Sequence, residues 1–147
     1  MISKSTEYAL RAVLCLARSD GRVNVGQVAE LTHVPSRYLA KVLQGLVRAG
    51  LVNSTRGRTG GFVLARDPAT VTILEVVNAV DPLERICECP LGLEEHKDKL
   101  CALHQRLDDA IGEVEEAFRG STLADILANP GPGWPLGAPE RTPRSSK

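Results

Sequence analysis

Aromatic side chains are scarce in this chain, with two Phe, two Tyr and one Trp among 147 residues. That removes the stacking platforms on which single-stranded nucleic acids are usually held. Long apolar runs are missing too. The stretch from Ala9 to Ala17 is interrupted by Arg11 and is too short to cross a bilayer. No secretory leader is expected, so the chain reads as cytoplasmic, without a membrane partner. Its four cysteines then read as reduced thiols or metal ligands rather than disulfides. Phosphate-loop, dinucleotide-binding and nucleophile-elbow motifs are all absent, which argues against an enzyme. The most informative absence is local. From Pro35 to Arg66 there is no acidic residue, while Arg37, Lys41, Arg48, Arg56, Arg58 and Arg66 supply six bases.

A run of one sign repels itself and calls for a polyanion. The formal net charge of zero hides this, because the other half compensates. Between Glu75 and Glu116 stand twelve acidic residues against four basic ones, a net of minus eight. One half is suited to nucleic acid, and the acidic half to another task.

Periodicity places the elements. Ser3 or Ser5 caps a first helix to about Arg18, with Ala9, Leu10, Val13, Leu14 and Ala17 on one face. Asn24 caps a short helix from Val25 to Leu31. After the turn Thr32-His33-Val34, Pro35 and Ser36 open a third helix with a stripe of Tyr38, Leu39, Val42, Leu43, Leu46 and Val47. Gly50 is a left-handed terminator. Two helices joined by a short turn, the second one basic, read as helix-turn-helix. Two β-like runs, Leu51 to Thr55 and Phe62 to Arg66, flank a glycine-rich loop and make a wing. Thr72 and Glu75 form a capping box for a helix ending near Val80. Residues 81–99 are irregular, a long helix runs from about Leu100 to Phe118, and a short one from Leu123 to Leu127. The expected fold is mainly α with a small β-hairpin: a winged helix-turn-helix over 1–80, a Cys/His sensor loop over 81–99, and a dimerisation helix with a terminal short helix over 100–128. A disordered tail is expected over 129–147.

In this geometry the start of the third helix faces the major groove of duplex DNA. Ser36, Arg37, Tyr38 and Lys41 are the candidate contacts. Arg37 can read guanine O6 and N7 or hold a phosphate. Tyr38 is either a DNA contact or a core residue, and Lys41 is expected on a phosphate. Arg56 and Arg58 suit the minor groove, where the negative potential is enhanced. Gly60 and Gly61 would let the backbone approach the sugar-phosphate chain. A reader of this size gains affinity as a homodimer on two half-sites. The stripe Leu103, Leu107, Ala110, Ile111, Val114 and Phe118 is the candidate interface.

The acidic half holds Cys87, Cys89, His96, Cys101 and His104 close together in sequence. Cys101 and His104 stand i, i+3 at a helix start and can point to one site. Cys89 and His96 lie on a loop able to fold back toward it. Two thiolates and two imidazoles suit tetrahedral zinc or a two-iron cluster with mixed ligands. Idle thiols and exposed histidines fit the same composition. Cys15 reads as core.

Several short motifs together resemble one family. They are Thr6-Glu7-Tyr8-Ala9-Leu10-Arg11, Tyr38-Leu39, Gly50-Leu51-Val52, Arg56-Gly57 with Gly60-Gly61, and Ser121-Thr122-Leu123-Ala124-Asp125. They are similar to the Rrf-two family of winged-helix regulators, over about residues 1–128. The resemblance implies a homodimeric regulator binding palindromic operators, often under control of an iron–sulfur cluster. Cluster-bearing members carry three cysteines in the loop. Cys89 and Cys101 match the outer two, and the middle position falls near Glu95, where His96 or Cys87 can substitute. His104 matches a fourth ligand of some members, and Glu7 an acidic ligand given by the partner subunit in others. The departure favours a two-iron over a four-iron cluster and leaves zinc-bound and metal-free regulators open. The expectation is a DNA-binding repressor. The rivals are a small thiol- or metal-dependent enzyme and a winged-helix adaptor for protein.

Overall fold

A computed structural model describes residues 2–133 and Leu136. The tail expected from residue 129 therefore falls mostly outside the described residues.

The first helix, α1 (Lys4–Arg18), starts where the Ser3 hydroxyl accepts the Thr6 N–H at 3.2 Å. Its second half is buried nearly all round, through Ala12, Val13, Leu14, Cys15 and Leu16. A helix apolar on every side belongs at the centre of a core, and α1 is surrounded by the others. Around it lie α2 (Val25–Thr32), α3 (Ser36–Arg48) and α4 (Ile73–Val80). Asn24 and Gln27 form a reciprocal capping box on α2, and Thr72 and Glu75 another on α4. His33 closes α2 in the left-handed region, φ 55°. α3 buries Leu39, Val42, Leu43 and Leu46 and ends before Gly50, whose φ is +74°. That position favours glycine, as the sequence suggested.

The wing pairs β1 (Val52–Thr55) with β2 (Gly61–Leu64), antiparallel, with Val52 opposite Leu64 and Thr55 opposite Gly61. Val23 adds a further rung, exchanging backbone hydrogen bonds with Phe62 at 2.9 and 2.8 Å. β2 ends at Leu64, short of the expected Arg66. That arginine lies outside the strand and donates to Glu75 at 2.7 Å and to the Thr70 carbonyl.

After α4 the chain is irregular over 81–101, apart from one short turn at Glu94–His96. α5 (Ala102–Arg119) follows, 18 residues long, and its one buried residue is Asp108. Then α6 (Leu123–Ala128) returns to the winged body. Ile73 donates to the Ser121 carbonyl at 2.8 Å and Leu123 to the Val71 carbonyl at 3.0 Å. Leu123 is fully buried in the common core, a burial contributing about 1.5–3 kcal/mol.

Candidate nucleic-acid interface and thiol–imidazole loop

Ser36, Arg37, Tyr38 and Lys41 all lie exposed on the first half of α3. Tyr38 is 47 % exposed, so it is a surface residue and not part of the core. Its ring sits between two neighbours. The Arg37 guanidinium lies 4.7 Å from the ring centroid and donates to the Tyr38 hydroxyl at 3.2 Å. The Tyr8 ring of α1 stands 6.0 Å away on a tilted plane. Cation–π and edge contacts of this kind restrict the arginine without neutralising it. Pro35 offers no side-chain cap to α3, and its carbonyl accepts the Tyr38 and Leu39 N–H groups at 3.0 and 3.2 Å.

Arg56 and Arg58 are exposed on the loop between the two strands. Of the six bases in the acid-free stretch, Arg66 is the one held in an ion pair among the described residues, with Glu75. The C-terminal half pairs several of its cations internally: Arg85 with Asp108 and Glu115, Lys97 with Glu94, and Arg119 with Glu115 and Glu116. Arg37, Lys41, Arg48, Arg56 and Arg58 make no ion pair among the described residues.

The wing glycines have a reason inside the protein. A Cβ on Gly60 would stand 2.2 Å from the Thr55 carbonyl oxygen, and one on Gly61 2.8 Å from that of Val23. The loop closes only with glycine at these places, whether or not DNA is near.

The loop residues form two separate pairs. Cys89 Sγ lies 3.5 Å from His96 Nδ1, and Cys101 Sγ 3.4 Å from His104 Nδ1. Among the described residues no three His, Cys, Asp or Glu side chains converge as a metal site would require. Each pair supplies two of the four donors that zinc or a two-iron cluster needs. As placed in one subunit, the four do not fit a single centre. Cys87 is exposed. Glu7 stands on α1 in an ion pair with Arg11 and joins neither thiol pair. The Leu93 N–H, and after it the His96 imidazole, hold the Cys89 thiol down to about 7. That shift favours the thiolate, the form that reacts and that binds metal. Burial pushes the Cys15 thiol up, in keeping with its place in the core.

Sequence reasoning missed how this loop is held. Arg85 donates to both carboxylate oxygens of Asp108, at 2.7 and 2.6 Å, and the Ile86 N–H adds a third bond at 2.9 Å. A polar residue facing inward on an apolar-striped helix was the available signal.

Comparison with known proteins agrees with the winged-helix fold. The family model described as Rrf2, iron-dependent transcriptional regulator, matches residues 2–129. The transcriptional regulator NsrR of Bacillus licheniformis is 30 % identical over 132 residues, covering 87 % of this chain and 92 % of that protein. Two solved structures share the fold. CymR, the global cysteine regulator of B. subtilis, superposes with a TM-score of 0.70 and 26 % identity, covering 87 % of this chain and 96 % of that one. IscR of T. potens gives 0.72 and 25 %, covering 89 % and 88 %. No helix among the described residues is long and apolar enough to cross a membrane.

Proposed function

Because the chain belongs to the Rrf2 family of transcriptional regulators, we propose that it binds duplex DNA as a homodimer and represses transcription from palindromic operators. It is not an enzyme in this reading. The observation that carries the proposal is the set of cations on α3 and the wing that have no acidic partner among the described residues, Arg37, Lys41, Arg48, Arg56 and Arg58. α3 enters the major groove with Ser36, Arg37, Tyr38 and Lys41, and the wing carries Arg56 and Arg58 to the minor groove. Residues 1–80 form the DNA-binding unit, 81–99 the controlling loop, and 100–128 the dimerising segment. Support for the dimer comes from α5, where Leu103 is 64 % and Leu107 47 % exposed on a helix with one buried residue. A second copy of α5 is the natural cover for that stripe.

Control is assigned to Cys89, His96, Cys101 and His104, with Cys87 and Glu7 as secondary candidates. Two thiol–imidazole pairs in one subunit support a thiol-responsive loop directly. An iron–sulfur cluster or zinc requires donors from both pairs, or from the second subunit, to meet. The DNA-binding mechanism needs neither.

The test is anisotropy of a labelled mixed-sequence duplex titrated with the purified protein across a range of salt. Log affinity falls linearly with log salt if cations on α3 and the wing displace counterions. Binding that is absent or indifferent to salt contradicts the reading. Anaerobic purification with an absorbance spectrum and iron, sulfide and zinc analysis separates the cluster, zinc and metal-free forms.

A further inference from the structure

A cavity of about 330 Å³ opens between the start of α1, the end of α4, the chain that follows it and the middle of α5. Ile2, Val77, Leu83 and Ile111 give it apolar walls, and exposed Asp81 and Glu84 line it as well. The walls are held in place. The Asn78 side chain accepts the Leu83 N–H at 3.2 Å, and Arg85, next in the chain after Glu84, fastens the loop to α5 through Asp108. Arg85 turns its guanidinium to Asp108 and Glu115. Asp81 and Glu84 make no ion pair among the described residues. The acid that lines a second cleft, beside α4, is by contrast already paired: Glu75 with Arg66.

We propose that this cavity binds a small organic cation, an ammonium group carried on a compact apolar body, and that the cation is an effector of the regulator. The binding site stands on the cavity alone, and the effector role rests on the DNA-binding reading. The volume lies at the low end of small-molecule pockets, about 300–1,000 Å³, which limits the occupant's size. An apolar body covers the four aliphatic walls, and its burial supplies affinity. The two carboxylates accept from the ammonium N–H groups and select the sign of the charge. A bare metal ion fits poorly, because aliphatic walls supply none of the further oxygen donors that it needs. The turn of a second copy, with its exposed Leu91 and Leu93, also fits poorly. Glu88, Glu94 and Glu95 flank that turn and would be brought against Asp81 and Glu84. The cavity touches the winged body through α1 and α4, and the proposed dimer helix through α5. An occupant that binds one placement of these elements better than another shifts their population, and with it operator affinity.

The experiment follows the methyl NMR signals of the full-length protein during titration with phenethylamine, phenethyl alcohol and hydrocinnamate, three probes of similar shape and different charge. The amine is expected to give saturable shifts at Ile2, Val77, Leu83 and Ile111 and to bind several-fold more tightly than the alcohol, with the acid weakest. Asp81→Asn with Glu84→Gln removes the preference for the amine. Asp109→Asn with Glu113→Gln, an equal loss of charge elsewhere, keeps it. All four side chains are exposed, so neither double variant removes a core contact. Shifts confined to other residues, equal binding of the three probes, or an unchanged preference in the Asp81 and Glu84 variant overturns the site. Signals of the four residues that move with protein concentration and not with amine place a second copy there, and overturn it too. At saturation the amine is expected to change the affinity for a labelled mixed-sequence duplex several-fold, and an unchanged affinity overturns the effector role. If the protein without amine binds no duplex, the DNA-binding reading itself fails. That result is distinct from a cavity that ignores the amine.

Discussion

Arg85 holds both carboxylate oxygens of Asp108, its Nε 2.7 Å from one and its Nη2 2.6 Å from the other. The two residues are 23 positions apart in the chain. One lies on the loop after α4 and the other at the middle of α5, so the pair fastens the thiol-bearing loop to the proposed dimer helix. Gly112 makes room for it, because a Cβ there would stand 3.2 Å from the Arg85 guanidinium. Arg85 also reaches Glu115 at 3.5 Å. Arg85 thus joins the loop to α5 through two carboxylates of that helix.

The clamp makes stability depend on acid in a defined window. Hydrogen bonds from Arg85 hold the Asp108 carboxyl down to about 2, below its ordinary value of 3.8. A carboxyl depressed on folding stabilises fully above its unfolded value and loses that effect as pH falls through the folded one. The melting temperature of the native chain should exceed that of Asp108→Asn at neutral pH, and the gap should close between about pH 4 and about pH 2. A gap that stays constant through that range would remove the clamp from the account.

The Cys89 thiol, held down to about 7 by the Leu93 N–H and the His96 imidazole, should alkylate early. Its rate with iodoacetamide, followed by mass spectrometry, is expected to rise through about pH 7 and level off above it. His96→Ala should move the midpoint upward. Cys15, 3 % exposed and with its thiol pushed up by burial, should stay unmodified until the protein unfolds.

Gly60→Ala tests the wing without touching a charge. The added methyl would lie 2.2 Å from the Thr55 carbonyl oxygen, so the loop must open at a cost of about 1–3 kcal/mol in strain. DNA affinity should fall while the helical circular dichroism spectrum is retained. Undiminished affinity would show that the wing does not need this loop geometry to engage DNA.

Leu103 and Leu107 test the dimer. Leu103→Glu with Leu107→Glu places two charges on the exposed stripe of α5, where within one subunit they touch little. Sedimentation should show a dimer for the native chain and a monomer for the variant, with weaker DNA binding. A native monomer, or a variant that remains dimeric, contradicts the assignment of α5.

The helices and wing were legible in the sequence because their signals are local. The Thr72–Glu75 capping box, the Asn24 cap and Gly50 each lie within a few residues of the end they define. The charge on α3 and the wing was legible for the same reason. Pairings between distant segments were not. Nothing near Asp108 in the chain names Arg85, and nothing near Leu123 says that α6 packs back against the winged core. Arg66 counted among the six bases of the acid-free stretch, and its contact with Glu75 was not legible in the sequence. Gly60 and Gly61 were read as letting the backbone approach DNA, and the fold adds a second reason for them, the nearness of the Thr55 and Val23 carbonyls. Cys89, His96, Cys101 and His104 were read as one cluster because they are near in sequence. The loop's turns sort them into two pairs.

The central claim, a dimer that reads DNA by sequence, is tested most directly by selecting binding sites from a pool of random duplexes. The account predicts enrichment of an inverted repeat whose half-sites lie about one helical turn apart. Arg37→Ala should then relax the preference at one base pair in each half-site, by about 1–3 kcal/mol. Enrichment of no sequence, or of a single unrepeated site, would contradict it.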